Sequence, residues 1–421
     1  MSPRRPTRSA RRPIRLDPSV EGLEGRTLLS FGLGAGQDLA TAGASATNGG
    51  SLATQGNTSS LPGNNPSRSQ FPNLGTVGDF NHDGISDPAV YLPNFATFAY
   101  RPSGGGADVV TPFGITGTGQ TLPAPGAYDG LGLVELGVYL PKYGAFATRP
   151  FFTAPDVVTP FGIPGPGQTI PTPGNYDGLG KTDIAAYLPA FASFAYRPSD
   201  GSPDKIVPFG IPGPGQTLPA PGDYFGSGQT DIAAYLPASG VYAIRNPRGG
   251  PDELIPFGIP GFDKAGAPNS IPVPGNYDGT GKTNIAVFVP SLAEFIYRPS
   301  DGSPDVVVPF GIAGDGQTLP APGDYDGSGR TEIAAYLPSL GLFVYRPAGG
   351  GPDVIESIGI AGQTIPFNQA TATSLVTAAG LAAASTGTVA KATAVSAPIP
   401  ITPDVLDAVA GRPSKTTARA G

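Results

Sequence analysis

The chain has 421 residues, with 63 glycines, 51 prolines, one histidine, no cysteine and no tryptophan, and only 14% of its residues are charged. Disulfides, thiolate metal sites and cysteine nucleophiles are therefore excluded, and so much glycine and proline argues against long helices. The net charge of −7 divides into +4 over residues 1–30 and −11 over the rest; an acidic body disfavours nucleic acid as a partner, and no apolar run approaches the roughly 20 residues of a membrane span.

In chain order, residues 1–30 form a basic, targeting-like segment, with Arg4, Arg5, Arg8, Arg11, Arg12, Arg15 and Arg26 against Asp17, Glu21 and Glu24. No apolar core of roughly 7–15 residues follows the arginines, so an ordinary secretory signal is not supported, and a disordered basic tail is the alternative. "VEGLEGRTLLS" (20–30) resembles the LEPR-XLL segment near the N-termini of large bacterial envelope and secreted proteins, with Gly25 where that pattern has proline. The resemblance implies an extracytoplasmic protein, in the cell envelope or secreted. Residues 31–69, rich in Gly, Ala, Ser, Thr and Asn, read as a flexible linker.

Residues 70–368 are repetitive. A marker opens at Gly78 ("GDFNHDG"), Gly126, Gly174, Gly222, Gly275 and Gly323, at spacings of 48, 48, 48, 53 and 48. Each of the six units runs "QTLPAPGDY", an acidic loop, "TDIAAYLP", "FAYRPS" and "PDVVVPFGI": four short runs rich in Val, Ile, Phe and Tyr, closed by Gly or Pro turns. In "TDIAAYLP", Ile184, Ala186 and Leu188 share one face while Ala185 and Tyr187 share the other, which predicts a sheet buried on both sides. Four-stranded antiparallel units packed between copies of themselves make an all-β fold, a β-propeller of six blades. "GQTIPFN" (362–368) reads as one further first strand, which either closes the ring beside the first blade or begins a seventh. The Ala- and Thr-rich stretch 369–421 reads as a disordered tail.

The runs "PTPGNYDGLGKTDIAAYLP", "PVPGNYDGTGKTNIAVFVP" and "PAPGDYDGSGRTEIAAYLP" closely resemble FG-GAP/VCBS-type repeats of bacterial surface and secreted proteins, and Phe113, Phe161, Phe209, Phe257 and Phe310 match that family's F/W-G pair. The resemblance covers the six units. It implies a propeller of the integrin α-subunit kind with calcium in the loop between the first two strands of a blade, and a structural or adhesive role.

The residues support calcium independently. In "GDFNHDGISD", Asp79, Asn81 and Asp83 alternate toward one point, Gly84 permits a sharp turn, the Ile85 carbonyl fills the middle position, and Asp87 stands ninth. Position twelve is Val90 and strands flank the loop, so this is not an EF-hand; an Asx-rich turn capping its own backbone is the competing reading. Asp324, Asp326, Ser328 and Glu332 keep four oxygen donors, and Asn276, Asp278, Thr280 and Asn284 keep four with one charge, so two weaker sites are expected there. In the other loops Leu179, Phe225 and the sparse pair Asp129 and Glu135 leave only the turn.

Each unit also carries an Arg and, seven residues on, an Asp, from Arg101/Asp108 to Arg346/Asp353; this predicts a cross-strand ion pair that pins a hairpin rather than a ring of ligand sites. His82, the single imidazole, reads as a solvent-facing loop residue and not a general base. The acids outside the repeat pattern (Glu253, Asp263, Glu294, Asp315, Glu356) come with no motif. The expectation is a monomeric, non-catalytic, calcium-supported propeller that binds protein or polysaccharide; the runner-up is a carbohydrate-binding lectin or a carbohydrate-active hydrolase or lyase. The five-residue expansion within 259–270 is the one irregular loop.

Overall fold

The computed structural model describes residues 78–150 and 156–366. The expectations for 1–30, for 31–69 and for the tail 369–421 lie outside these residues, as do 70–77 and 367–368 at the margins of the repeat region.

Six four-stranded antiparallel sheets follow one another along the chain as the blades of a propeller. The third blade is representative, with strands Ile170–Pro171, Ile184–Leu188, Ser193–Arg197 and Lys205–Pro208 paired in sequence order. The second strand is buried on both faces, as the mixed apolar pattern predicts. First strands are only two residues long and end in proline, which has no N–H to offer beyond its one partner and so suits a sheet edge. First strands of neighbouring blades also approach one another, as Leu218–Pro219 and Ile271–Pro272 do, while fourth strands are the most exposed. The sheets thus run from a crowded centre to a wet rim.

The extra strand closes the ring. Ile365 pairs with Tyr91 and Pro366 with Val90, so the first blade consists of Ala89–Leu92, Thr97–Tyr100 and Val109–Pro112 plus this returning strand. There is no seventh blade among the described residues.

Within each blade an aromatic column ties three elements together. In the third, Tyr187 meets Phe194 at 5.0 Å between ring centroids and Phe194 meets Phe209 at 6.4 Å, all three buried. Cutting such a ring to alanine costs about 3–5 kcal/mol. The F-G phenylalanine is therefore the plug that ends one blade before the chain crosses to the next.

The arginines do more than the sequence suggests. Arg101, Arg149, Arg197, Arg298 and Arg346 pair with their aspartates at 2.7–2.8 Å, and Arg245–Asp252 is looser at 3.9 Å. Each guanidinium from Arg149 onward also lies over the F-G phenylalanine of the preceding blade, for example Arg149 over Phe113 at 4.5 Å and Arg346 over Phe310 at 5.1 Å. Arg101 follows Ile358 instead, and donates to the Ser357 carbonyl at 2.9 Å. Half-exposed ion pairs of this kind contribute little alone, and the stacking adds about 0.5–1 kcal/mol per junction.

Strand alternation sorts the connections onto two faces. The acidic loop between strands one and two shares a face with the Arg–Asp hairpin, where the Ser199 N–H donates to Asp177 at 2.7 Å. The turn between strands two and three and the F-G connection share the other, where the Gly213 N–H donates to the Pro189 carbonyl at 2.8 Å. We refer to these as the loop face and the turn face. The described chain begins at Gly78 on the loop face and ends at Pro366, in a strand that runs toward that face.

Candidate metal centre

All six acidic loops fold alike because their ninth residue is buried and accepts hydrogen bonds from the loop's own backbone. Asp87 accepts the N–H groups of Phe80 and Asn81 at 2.8 and 3.1 Å. Asp183 accepts those of Tyr176 and Asp177, Asp231 those of Tyr224 and Phe225, and Glu135 and Glu332 those of Asp129 and Tyr325. The fifth loop does the same with an amide oxygen, since Asn284 accepts from Tyr277 and Asp278 at 2.8 and 3.2 Å. An acceptor is what this position requires; a charge is optional.

A second device stitches neighbouring loops together. The hydroxyl of the eighth residue accepts the N–H of the preceding loop's first residue, while its own N–H donates to that residue's carbonyl. Thr182 joins Ala127 in this way, Thr230 joins Asn175, Thr283 joins Asp223, and Thr331 joins Asn276. Ser86 joins Asp324 across the ring closure, at 3.2 Å through its hydroxyl and 2.7 Å through its N–H. The eighth residue of the second loop is Val134, and no such clasp joins it to Asp79 among the described residues. The signal was a Thr or Ser eight places after each marker glycine, with the exception at Val134.

The first loop is exceptional again at its fourth residue. His82 has φ 66°, the left-handed conformation that Gly130, Gly178, Gly226, Gly279 and Gly327 take elsewhere. A Cβ at Gly130 would meet the Lys181 Cε at 2.3 Å, so the lysine of the next blade would have to move aside for a side chain there. The expected solvent-facing histidine is corrected: both ring nitrogens are inaccessible to solvent, and burial pushes the imidazole pKa down despite Asp79 nearby.

The carboxylates proposed as ligands in the first loop are taken up internally. Asp79 accepts the N–H groups of Asp83 and Gly84, Asp83 accepts that of Ile85 and the Ser103 hydroxyl, and the second oxygen of Asp87 accepts the Ser103 N–H at 2.7 Å. Asn81 turns its amide nitrogen onto Asp83 at 3.0 Å. The fifth loop is also closed on itself. Asn276 accepts the Gly281 N–H and donates to the Gly329 carbonyl, while Asp278 accepts from Ser300, Thr280 and the Asn284 amide. Burial opposes ionisation of Asp278, but these hydrogen bonds outweigh it and hold its carboxyl well below the usual range.

The sixth loop differs. Ligand oxygens of Asp324, Asp326 and Glu332 lie within 4.8 Å of one another. Asp324 is 6% exposed, and its Oδ1 is buried without a hydrogen-bond partner. Burial pushes Glu332 up to about 8, and the nearby Asp326 and Asp324 charges add to the rise; Asp324 is raised by burial as well. Ser328 adds a hydroxyl 3.3 Å from Glu332 Oε1. Three carboxylates and a hydroxyl, with one buried oxygen unmatched, are a hard-oxygen set that fits a calcium-like cation. The loop at Asp324 thus leaves one buried carboxylate oxygen open, whereas the carboxylates of Asp79 and Asp278 accept hydrogen bonds from their own loops.

Glu135 Oε2 and Asp183 Oδ1 are two further buried, unpartnered oxygens. Both residues line a cavity of about 640 Å³ between the second and third blades, together with Lys181 and the Arg197–Asp204 pair. Burial raises each to about 7, with Asp129 and Asp177 beside them adding to the shift.

No protein-family model matches the chain, and neither does any curated protein. Solved structures do resemble it. An Agrocybe aegerita lectin that recognises non-reducing terminal N-acetylglucosamine is 13% identical with TM-score 0.44, over 67% of this chain and 94% of its own. Staphylococcus aureus virginiamycin B lyase is 9% identical with TM-score 0.36, over 59% of this chain and 74% of its own. These similarities carry no functional argument, and the propeller rests on the strand pairing described above.

Proposed function

We propose that the chain is a non-catalytic β-propeller of the FG-GAP/VCBS type, exported to the cell envelope or secreted, and braced by calcium as a structural or adhesion module for protein or polysaccharide partners. The observation that carries this is the buried, unpartnered Asp324 Oδ1 set beside Asp326 and Glu332. Bound there, calcium would neutralise carboxylates that otherwise repel one another in a poorly solvated loop. Asp324 sits in the clasp to Ser86 at the ring closure, so bracing its loop braces the junction where the two ends of the ring meet. The groups with strongly raised carboxyl pKa values in these loops occupy a repeated position where each serves its own backbone, which suits a scaffold better than a catalytic pair.

The test is thermal unfolding of the full chain with calcium and with chelator. A melting temperature several degrees higher with calcium is expected; an unchanged one removes calcium from the reading.

A second, carbohydrate-active reading has one observation in its favour, the two raised acids Glu135 and Asp183 lining one cavity. Hydrolysis of polysaccharides by the wild-type chain, abolished in both Glu135→Gln and Asp183→Asn, would establish it over the scaffold.

A further inference from the structure

The turn face differs in chemistry from the loop face. At the same place in the turn between strands two and three stand Phe95, Tyr143, Phe191 and Leu292, which are 54, 43, 46 and 53% exposed. Half-exposed rings repeated in register stand out in a protein whose largest aromatic side chains are otherwise buried in the blade columns. In the turns and F-G connections of this face, the charged residues are Lys142, Asp263, Lys264 and Asp315, which sum to zero. The loop face, by contrast, carries the acidic loops and the Arg–Asp hairpins.

We propose that the turn face is the docking surface of the module and that its occupant is an uncharged polysaccharide. This deepens the adhesion reading above by naming the partner class and the face. Three observations select that occupant. Absence of net charge removes the attraction that an anionic or cationic polymer would need. The exposed rings of these turns stand singly on the first three blades, at Phe95, Tyr143 and Phe191, while the other three turns carry Ser239, Leu292 and the half-buried Leu340, so the aromatic surface is not the continuous patch of about 800 Å² per partner that a stable protein interface uses. Single rings at a repeating interval suit a polymer of repeating rings, each laying its apolar C–H face on an aromatic side chain, while Gln120, Gln168 and Gln216, at one position of successive connections, supply uncharged amides for hydroxyls. The placement of the described ends agrees, since Gly78 lies on the opposite face and the strand Ile365–Pro366 runs toward that face. The one expanded loop also lands on this face, and adds Phe262, 37% exposed.

The test is co-sedimentation of the full chain with insoluble cellulose, chitin and a β-1,3-glucan, with the anionic polymer alginate as control and with calcium present throughout. The expected result is retention on at least one neutral polymer and not on alginate, weakened about tenfold or more in Phe95→Ala/Phe191→Ala at an unchanged melting temperature. Leu179→Ala, on the loop face, should leave retention as it was. The proposal is overturned by no retention on any neutral polymer, by equal retention of the double variant, or by a self-association that the double variant abolishes, which would make the occupant a second copy. Because folding is monitored separately in calcium and chelator, failure of sugar binding and failure of calcium bracing remain distinct results.

Discussion

The fifth and sixth blades finish the same nine-residue loop in two ways. In the fifth, Asn276 and Asn284 supply amides whose nitrogens find acceptors on Gly329 and Asp278, so every polar atom described there has a partner within the protein. In the sixth, Asp324 and Glu332 stand at those positions, and a carboxylate has no donor to replace the lost N–H. One oxygen is left bare and Glu332 is pushed up to about 8 by burial. Exchanging an amide for an acid therefore removes a donor, and where no backbone N–H takes up the new oxygen, as at Asp324 but not at Asp79, the turn is left needing a cation or a proton.

The sharpest way to break this comparison is to give the fifth loop an acid. Asn284→Asp removes the donor to Asp278 Oδ2 and sets two carboxylates together, so at pH 8 in chelator it should lose about 3 kcal/mol in denaturant unfolding. A loss under about 0.5 kcal/mol, the size of an ordinary surface change, would show that the amide is incidental.

The reverse exchange is the next largest effect. Asp324→Asn/Glu332→Gln should abolish the calcium response, which amounts to about 2.7 kcal/mol with the ion at 100 times its Kd. Retention of the full response would move the site to another loop.

A pH series sharpens the same point without mutation. Glu135 and Asp183 are raised to about 7 from 4.5 and 3.8, so the folded chain holds protons that the unfolded chain has released. Their contribution is complete below about pH 4 and is lost as pH rises through about 7, giving in chelator a melting temperature that falls across that interval. Asp183→Asn, which copies Asn284, should flatten the fall; an equally steep profile would remove Asp183 from its cause.

The smallest effect concerns the junctions. Five are clasped by a hydroxyl and the first is not, so Val134→Thr should add a bond there and gain about 1 kcal/mol, provided the hydroxyl reaches the Asp79 N–H as Thr182 reaches that of Ala127. Stability lower than wild type would mean that Val134 is worth more as part of the apolar cluster it now joins.

The blades were legible because their contacts are local in sequence. Strand pairing within a unit is set by alternation and turns, and the hairpin span from Arg197 to Asp204 is seven residues. The returning strand at Ile365 was visible as a supernumerary run whose destination stayed open until the partner Tyr91 was seen beside it. What stayed hidden joins neighbouring units. Thr182 meets a residue 55 positions away, and Arg149 lies over a phenylalanine of the preceding blade, because the ring fixes an offset that no single unit contains. The hydrogen bonding of the acidic loops was hidden for another reason. Counting oxygens in the loop at Asp79, Asn81, Asp83 and Asp87 does not show which of them also accept N–H groups.

The returning strand also imposes an order of events during synthesis. Residues 89–112 leave the ribosome early, yet the innermost partner of that sheet is Ile365–Pro366 and emerges some 250 residues later. Until then Val90 and Tyr91, buried in the finished ring, border an unpaired strand edge of the kind that recruits other chains. A chain cut short before residue 365 would keep that edge for good, so premature termination should yield insoluble protein rather than a five-bladed remnant.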